Sequence, residues 1–80
     1  MITKEIALTL QKGQIIYSRT WRNSDGTPQR FRVNDKVKTW KRRPLEFALP
    51  VKRGLFEYGY VDEWNGVDFT TSETEAACSA

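Results

Sequence analysis

The sequence contains no histidine and only one cysteine among its 80 residues. Catalytic triads that rely on imidazole, and zinc sites with histidine ligands, are therefore excluded. The single cysteine, Cys78, forms no internal disulfide and no four-cysteine metal site. These absences predict a protein that holds no metal and no cofactor.

Long apolar runs are also missing, since no more than three apolar residues follow one another. A membrane-spanning helix needs about 20, and the start of the chain lacks the apolar stretch of a signal peptide. A lone cysteine suits a reducing compartment. We therefore expect a cytoplasmic protein with no membrane partner, and its length allows a single small domain.

The N-terminal segment, residues 3–13, fits two local structures. Thr3 is a suitable N-cap for a short helix with Ile6 and Leu10 on one face. Ile6, Leu8 and Leu10 also alternate as they would in a strand, but we favour the helix. Residues 14–21 are β-branched and aromatic, which predicts a strand.

The middle of the chain predicts a basic hairpin. Asn34 and Asp35 are residue types that tolerate a tight turn, between strands at residues 29–33 and 36–41. One register places Trp40 on a face with Phe31 and Val33, whereas a slip by one residue places it among the cations. The sequence does not choose between these registers.

Further turn signals divide the rest of the chain into short strands. Residues 23–28 concentrate turn formers, and residues 45–49 suit a short edge strand ended by Pro50. Residues 55–61 predict another strand, and Asn65 and Gly66 predict a hairpin turn from which residues 67–71 return.

This pattern predicts a mainly β fold: a small antiparallel barrel or roll of the SH3-like kind, or alternatively an OB-like barrel, with one short N-terminal helix. We assign residues 1–71 to a single domain and expect a disordered tail at residues 72–80. The predicted core comprises Ile15, Tyr17, Phe31, Val33, Phe47, Leu49, Leu55, Tyr58, Tyr60 and Val61.

The net charge of +3 hides two blocks of opposite sign. Residues 19–53 carry eleven cations and three anions, whereas residues 54–80 carry six acids and neither lysine nor arginine. A basic middle and an acidic end are therefore separate features of this chain.

The basic block indicates binding to an anionic partner, first of all nucleic acid. Arginines on one side of a hairpin suit a phosphate backbone, and an exposed tryptophan can stack on bases. The expected binding residues are Arg30, Arg32, Lys38, Trp40, Lys41, Arg42 and Arg43.

The same residues fit two other interpretations. Lysines and arginines also solvate the outer face of an edge ribbon, and a tryptophan in so small a domain is often a core residue. The opposite charge blocks also suit a protein-interaction module: a homodimer, an adaptor, or an inhibitor of a host protein that binds nucleic acid.

Catalysis finds little support in the sequence. Across the predicted turn at Asn65 and Gly66, Glu63 would face Asp68, and like charges so close raise one pKa. A solvated face explains these two acids better, and no glycine-rich phosphate loop occurs. We therefore expect a protein that is not an enzyme.

One pattern runs through residues 23–60: NSDGTPQRFRVNDKVKTWKRR at residues 23–43 with Pro44, then Phe47, PVKRGL at residues 50–55 and YGY at residues 58–60. This pattern resembles a group of short open reading frames in bacteriophage and bacterial genomes. In that group the turn usually reads Asn-Gly, so Asp35 departs from the pattern and makes a tight turn less secure. The resemblance implies a phage-related origin and an accessory binding role, and it implies no known activity.

Overall fold

The computed structural model describes residues 1–78, without the side chain of residue 45. Helix α1 (Lys4–Thr9) precedes five strands: β1 (Ile15–Arg22), β2 (Pro28–Val33), β3 (Lys38–Trp40), β4 (Arg43–Arg53) and β5 (Glu57–Asp62). A 3-10 helix (Gly66–Asp68), strand β6 (Phe69–Thr70) and helix α2 (Glu73–Ala77) follow. Among these described residues, no helix has both the length and the apolar character needed to cross a bilayer.

The N-terminal segment is a helix, as its capping pattern predicts. The Thr3 hydroxyl accepts a hydrogen bond from the Ile6 amide at 3.3 Å, which satisfies one of the free amides of the first turn. Ala7 is buried, and Ile6 and Leu10 pack against the core. The apolar face of α1 therefore closes one side of the sheet.

Strand β4 is the centre of the sheet, because it pairs along both of its edges. One edge pairs with β3, where Thr39 lies opposite Phe47, and then with β2. The other edge pairs with β5, where Leu49 lies opposite Val61. Strand β1 joins β2 to β6, and the antiparallel sheet curls into a half-barrel. The predicted mainly β fold, a small barrel or roll, is confirmed.

The predicted edge strand that ends at Pro50 is wrong, because β4 continues through this proline to Arg53. The Pro50 carbonyl accepts from the Asn34 amide at 2.8 Å, so the backbone polar groups of Pro50 face away from β5. At this position β4 changes neighbours from β3 to β2. No ladder hydrogen bond therefore needs the amide that proline lacks.

The predicted hairpin at Asn34 and Asp35 is also wrong. Strands β2 and β3 pair with different parts of β4 and not with each other, so neither of the two proposed registers forms. The tight connection lies instead between β3 and β4, where Trp40 is opposite Arg43.

The second predicted hairpin, at Asn65 and Gly66, does not form either. Gly66 begins the 3-10 helix, and the strand that follows, β6, pairs with β1. The Gly66 carbonyl accepts from the Ile2 amide at 2.8 Å. A Cβ atom at Gly66 would overlap the carbonyl oxygen of Ile2. Position 66 therefore requires glycine, because the backbones of Gly66 and Ile2 lie too close together to leave room for a side chain.

The core fills the inner face of the curled sheet. Of the predicted core, Phe31, Val33, Phe47, Leu49 and Val61 are buried. The other predicted members are half-buried or exposed: Ile15 and Tyr17 in the first case, and Leu55, Tyr58 and Tyr60 in the second. Side chains alternate along a strand, so Ile16 takes the inner position instead of its neighbours.

The C-terminal segment contains a helix where disorder is predicted. The Ser72 hydroxyl caps α2 by accepting from the Glu75 amide, and Ala76 is buried. The Thr70 hydroxyl donates to the Glu75 carboxylate at 3.0 Å. Helix α2 therefore packs on the outer side of β6 and β1, while residues 79–80 of the predicted tail lie outside the described residues.

Candidate functional site

The two arginines of β2 lie on the outer face of the sheet. Arg30 and Arg32 are exposed and alternate with the buried residues Phe31 and Val33. This alternation follows from the pleat of the strand, which sends successive side chains to opposite faces. The pattern of apolar and basic residues in β2 therefore determines the direction of both arginines.

The other predicted binding residues lie on β3 and in the turn that follows. Lys38 and Trp40 are exposed, Trp40 to 47%. Lys41 and Arg42 form the turn, and Arg43 lies 3.3 Å from the Glu46 carboxylate. Trp40 is therefore not a core residue, which removes one of the alternatives that the sequence leaves open.

The seven predicted residues do not form one cluster. Arg32 lies opposite Lys52 near the end of β4, whereas Trp40 lies opposite Arg43 at its beginning. At about 3.3 Å per residue, these two places are separated by up to about 30 Å along the strand. Strand β4, which the hairpin prediction does not include, separates the basic residues of β2 from the basic turn.

A different set of aromatic residues lies beside the arginines. Tyr58 and Tyr60 point outward from β5, with 67% and 55% of their surfaces exposed. The register places Arg32, Lys52 and Tyr58 in one row across β2, β4 and β5. We call this surface the basic–aromatic face; it consists of Arg30, Arg32, Lys38, Lys52, Tyr58 and Tyr60.

Lys38 connects β3 to this face. It lies opposite the small residue Ala48, and its Nζ atom is 5.8 Å from the centroid of the Tyr60 ring. A lysine at this distance is attracted to the negative face of the ring. The contact confirms that Lys38 and Tyr60 share the outer surface, on either side of β4.

Most cations of the basic–aromatic face are not neutralised. Arg30 approaches Glu73 at 3.7 Å, an exposed pair of little energetic weight. Arg32, Lys38 and Lys52 form no ion pair with any residue in the described part of the chain. Their charges are therefore available to an anionic ligand.

The inner side of the sheet has an open groove beyond the closed core. The groove is lined by Trp21, Phe31, Val51, Phe56, Glu57, Tyr58, Gly59, Tyr60, Asn65 and Phe69, and its volume is about 420 Å³. We call it the aromatic groove. The Phe31 ring is 6.1 Å from Trp21 and 5.3 Å from Phe69, edge to face in the second pair. Gly59 has no side chain to fill the space opposite Val51.

The acids that the sequence singles out do not form a pair. A Glu63 oxygen accepts from the Phe47 amide at 3.3 Å, while Asp68 belongs to the 3-10 helix. Because the predicted hairpin does not form, Glu63 and Asp68 do not face each other across strands. Within residues 1–78, no group of three or more cysteine, aspartate or glutamate side chains is arranged to hold a metal ion.

The sequence analysis does not include Lys52, Tyr58 or Tyr60 among the expected binding residues. A signal was present in the segment Tyr58–Val61, because the tyrosines alternate with Gly59 and Val61 and therefore lie on the opposite face of the strand from the apolar Val61. Their aromatic character placed the tyrosines in the predicted core instead.

Fold and surface together define a small, mainly β domain whose curled sheet exposes a basic–aromatic face. No family model, curated protein or solved structure matches this chain.

Proposed function

We propose that this chain is a small non-catalytic protein that binds single-stranded nucleic acid through the basic–aromatic face. The main observation in support is the pair of exposed rings, Tyr58 and Tyr60, at successive outward positions of β5. Lysines that form no ion pair with the described residues lie beside them. Stacking on aromatic side chains and neutralisation of phosphates are the two interactions by which proteins bind single strands without a sequence motif.

The geometry supports stacking of neighbouring bases. Successive outward side chains of a strand are about 6.7 Å apart, so an extended nucleotide chain can place one base on each ring. Lys52 lies opposite Tyr58, and Lys38 lies over Tyr60, so each ring has a cation beside it for a phosphate. The basic turn at Lys41 and Arg42 extends the positive surface at one end.

For the finer type of fold we propose an SH3-like barrel, with an OB-like barrel as the alternative; the curled antiparallel sheet is compatible with both. The resemblance of residues 23–60 to open reading frames in bacteriophage and bacterial genomes supports a phage-related origin and an accessory binding role. A cytoplasmic location is part of the same proposal, because a lone cysteine suits a reducing compartment.

Binding to a fluorescent 12-residue oligothymidine and its uridine counterpart tests the proposal by anisotropy. We expect Tyr60→Ala to weaken binding by about 1–3 kcal/mol, because one stacking platform is lost. Trp64→Ala is the matched control, since Trp64 is an exposed aromatic, at 83%, outside the face. Equal losses in both variants would contradict the assignment of the face.

Salt dependence provides a second measurement of the same proposal. The logarithm of the affinity should fall with the logarithm of salt concentration, by about 0.7 for each phosphate contacted on a single strand. Lys52→Ala should reduce this slope by about 0.7. Absence of binding to either oligonucleotide at low salt would refute the proposal and favour a protein partner.

A further inference from the structure

Strand β5 is an edge strand with backbone groups that point away from the sheet. The Tyr60 carbonyl accepts from the Asn65 side chain at 2.9 Å, and the Asp62 amide donates to the same side chain at 2.8 Å. In an antiparallel strand the amide and carbonyl of one residue point to the same side, and the side alternates. The backbone groups of Tyr58, Tyr60 and Asp62 therefore face away from β4.

Part of this edge is free. Asn65 occupies the end at Asp62, where its amide group takes the place of a neighbouring strand. The amide and carbonyl of Tyr58 and the amide of Tyr60 form no hydrogen bond with any residue in positions 1–78. Two donors and one acceptor, spaced as in a strand, are thus available to an extended peptide.

The aromatic groove lies directly beside this free edge. Tyr58, Gly59 and Tyr60 line it together with Trp21, Phe31 and Phe69 from the opposite side. A strand added to β5 would direct every second side chain into the groove and the others to the outer face. Its volume of about 420 Å³ suits one large apolar side chain.

The charges at the Asp62 end of the edge select the sign of the residue that lies there, whereas Lys52 lies opposite Tyr58 towards the other end. Residues 54–78 contain no lysine or arginine. Arg53 binds Glu57 at 2.7 Å, whereas Asp62 and Glu63 have no cationic partner among the residues described. A second copy paired through β5 would bring Asp62 and Glu63 close to the same acids or to Glu57, which is unfavourable. A cationic segment matches them.

We propose that the free edge of β5 and the aromatic groove form a docking site for an extended, cationic peptide segment of a partner protein, which adds to the sheet as a strand. Main-chain hydrogen bonds to Tyr58 and Tyr60 provide the alignment. One large apolar side chain enters the groove, and a basic residue lies beside Asp62 and Glu63. This site uses the backbone edge of β5 and the inner groove, whereas the basic–aromatic face uses the outward rings of Tyr58 and Tyr60 and the cations beside them.

The test uses a synthetic eight-residue peptide of valine and threonine with one central tryptophan, and with arginines only at the end that lies beside Asp62 and Glu63. Titration is followed by amide hydrogen exchange of the full chain, and we expect slower exchange at Tyr58 and Tyr60. A peptide with alternate N-methylated residues, which cannot complete the ladder, and a peptide with glutamate replacing arginine should bind about tenfold or more weakly.

Two variants separate this site from the proposed nucleic-acid surface. Gly59→Val places a side chain in the groove that Gly59 lines. The substitution should not disturb the fold, because a Cβ atom at Gly59 meets nothing within 4 Å. It should weaken peptide binding about tenfold or more and leave oligonucleotide binding unchanged. Lys52→Ala should have the opposite pattern.

Other results overturn the docking proposal. Unchanged exchange at Tyr58 and Tyr60, equal binding to Gly59→Val, or equal binding of the glutamate peptide would each contradict it. A concentration-dependent dimer that protects Tyr58 and Tyr60 without peptide would assign the edge to a second copy instead. Failure of oligonucleotide binding alone leaves this result intact, because the peptide titration depends on the backbone edge and the groove and not on the cations of the basic–aromatic face.

Discussion

The two halves of the inner face differ in how they are covered. In the closed half, which the N-terminal segment covers, Phe47 packs near Gly66. Ile2 and Ala7 lie on the sheet there and are almost inaccessible to solvent. In the open half, Trp21, Phe31 and Phe69 line a groove that no described segment fills. The same sheet therefore provides a stable core at one end and an accessible apolar surface at the other.

This difference separates covered from uncovered apolar surface within one short chain. A domain of this size buries only about 60% of its unfolded surface, so each buried residue matters. The N-terminal segment covers one half, whereas in the other half Phe31 and Phe69 belong to the core and also border the open groove. Stability should therefore depend mainly on the closed half, and the proposed docking of a peptide on the open half.

The largest expected effect comes from Phe47→Ala. Removing a buried ring from the closed half should cost about 3–5 kcal/mol of unfolding free energy, enough to abolish the cooperative transition of a small domain. Phe69→Ala is the matched variant in the open half, and it should cost less because its ring borders the groove. Urea unfolding followed by circular dichroism compares them, and equal losses would remove the distinction between the halves.

Gly66→Ala should have the next largest effect. The added Cβ overlaps the Ile2 carbonyl oxygen, so the backbone contact between the two segments must shift, at a cost of about 1–3 kcal/mol. Gly59→Ala is the control, because the same substitution meets open space there. Its unfolding free energy should be unchanged or higher. An unfolding free energy equal to that of the wild type for Gly66→Ala would mean that the contact between Gly66 and Ile2 does not stabilise the closed half.

Gly59→Val should fold at least as well as the parent. Valine suits a strand and would lie opposite Val51, a cross-strand pair worth about 0.2–1 kcal/mol. Thermal unfolding measures this gain. A marked loss of stability would show that the open half is already tightly packed, and that the groove is not free space.

The smallest effect concerns pH and the turn beyond Trp21. The Thr27 hydroxyl, and then the Thr27 amide, donate to the Asp25 carboxylate and lower the pKa of Asp25 below its ordinary value of 3.8. A lowered pKa contributes stability above the unfolded-state value, and this contribution disappears as pH falls through the folded-state value.

Thermal midpoints measured from about pH 5 down to about pH 2.5 test this point. The wild-type midpoint should fall more over this range than that of Asp25→Asn, which has no carboxyl group to protonate. Parallel curves would show that the turn contributes nothing to the acid response. The difference is small because Asp25 is fully exposed.

The fold class could be predicted from the sequence, whereas the strand pairing could not. Thr3, the strand at residues 15–22 and the alternation of Phe31 and Val33 act locally, so sequence patterns reveal them. The pairing of β4 with three strands depends on contacts far apart in the chain. It overrides the local hairpin signals at Asn34 and at Asn65.

The candidate site was predicted in part for the same reason. Arg30 and Arg32 could be placed on an outer face because apolar residues alternate with them. Lys52 and Tyr58 could not be placed beside them, since that row exists only when β4 lies between β2 and β5. The separation of Arg32 from Lys41 has the same origin.

The side chain of Asn65 has a further consequence for the behaviour of the protein at high concentration. By occupying backbone groups of Tyr60 and Asp62, it limits the free edge of β5 to little more than one residue pair. Fibril growth requires a continuous edge on which successive chains stack. An edge this short can pair with one short peptide strand, but it is too short to template the continuous strand stacking of a fibril.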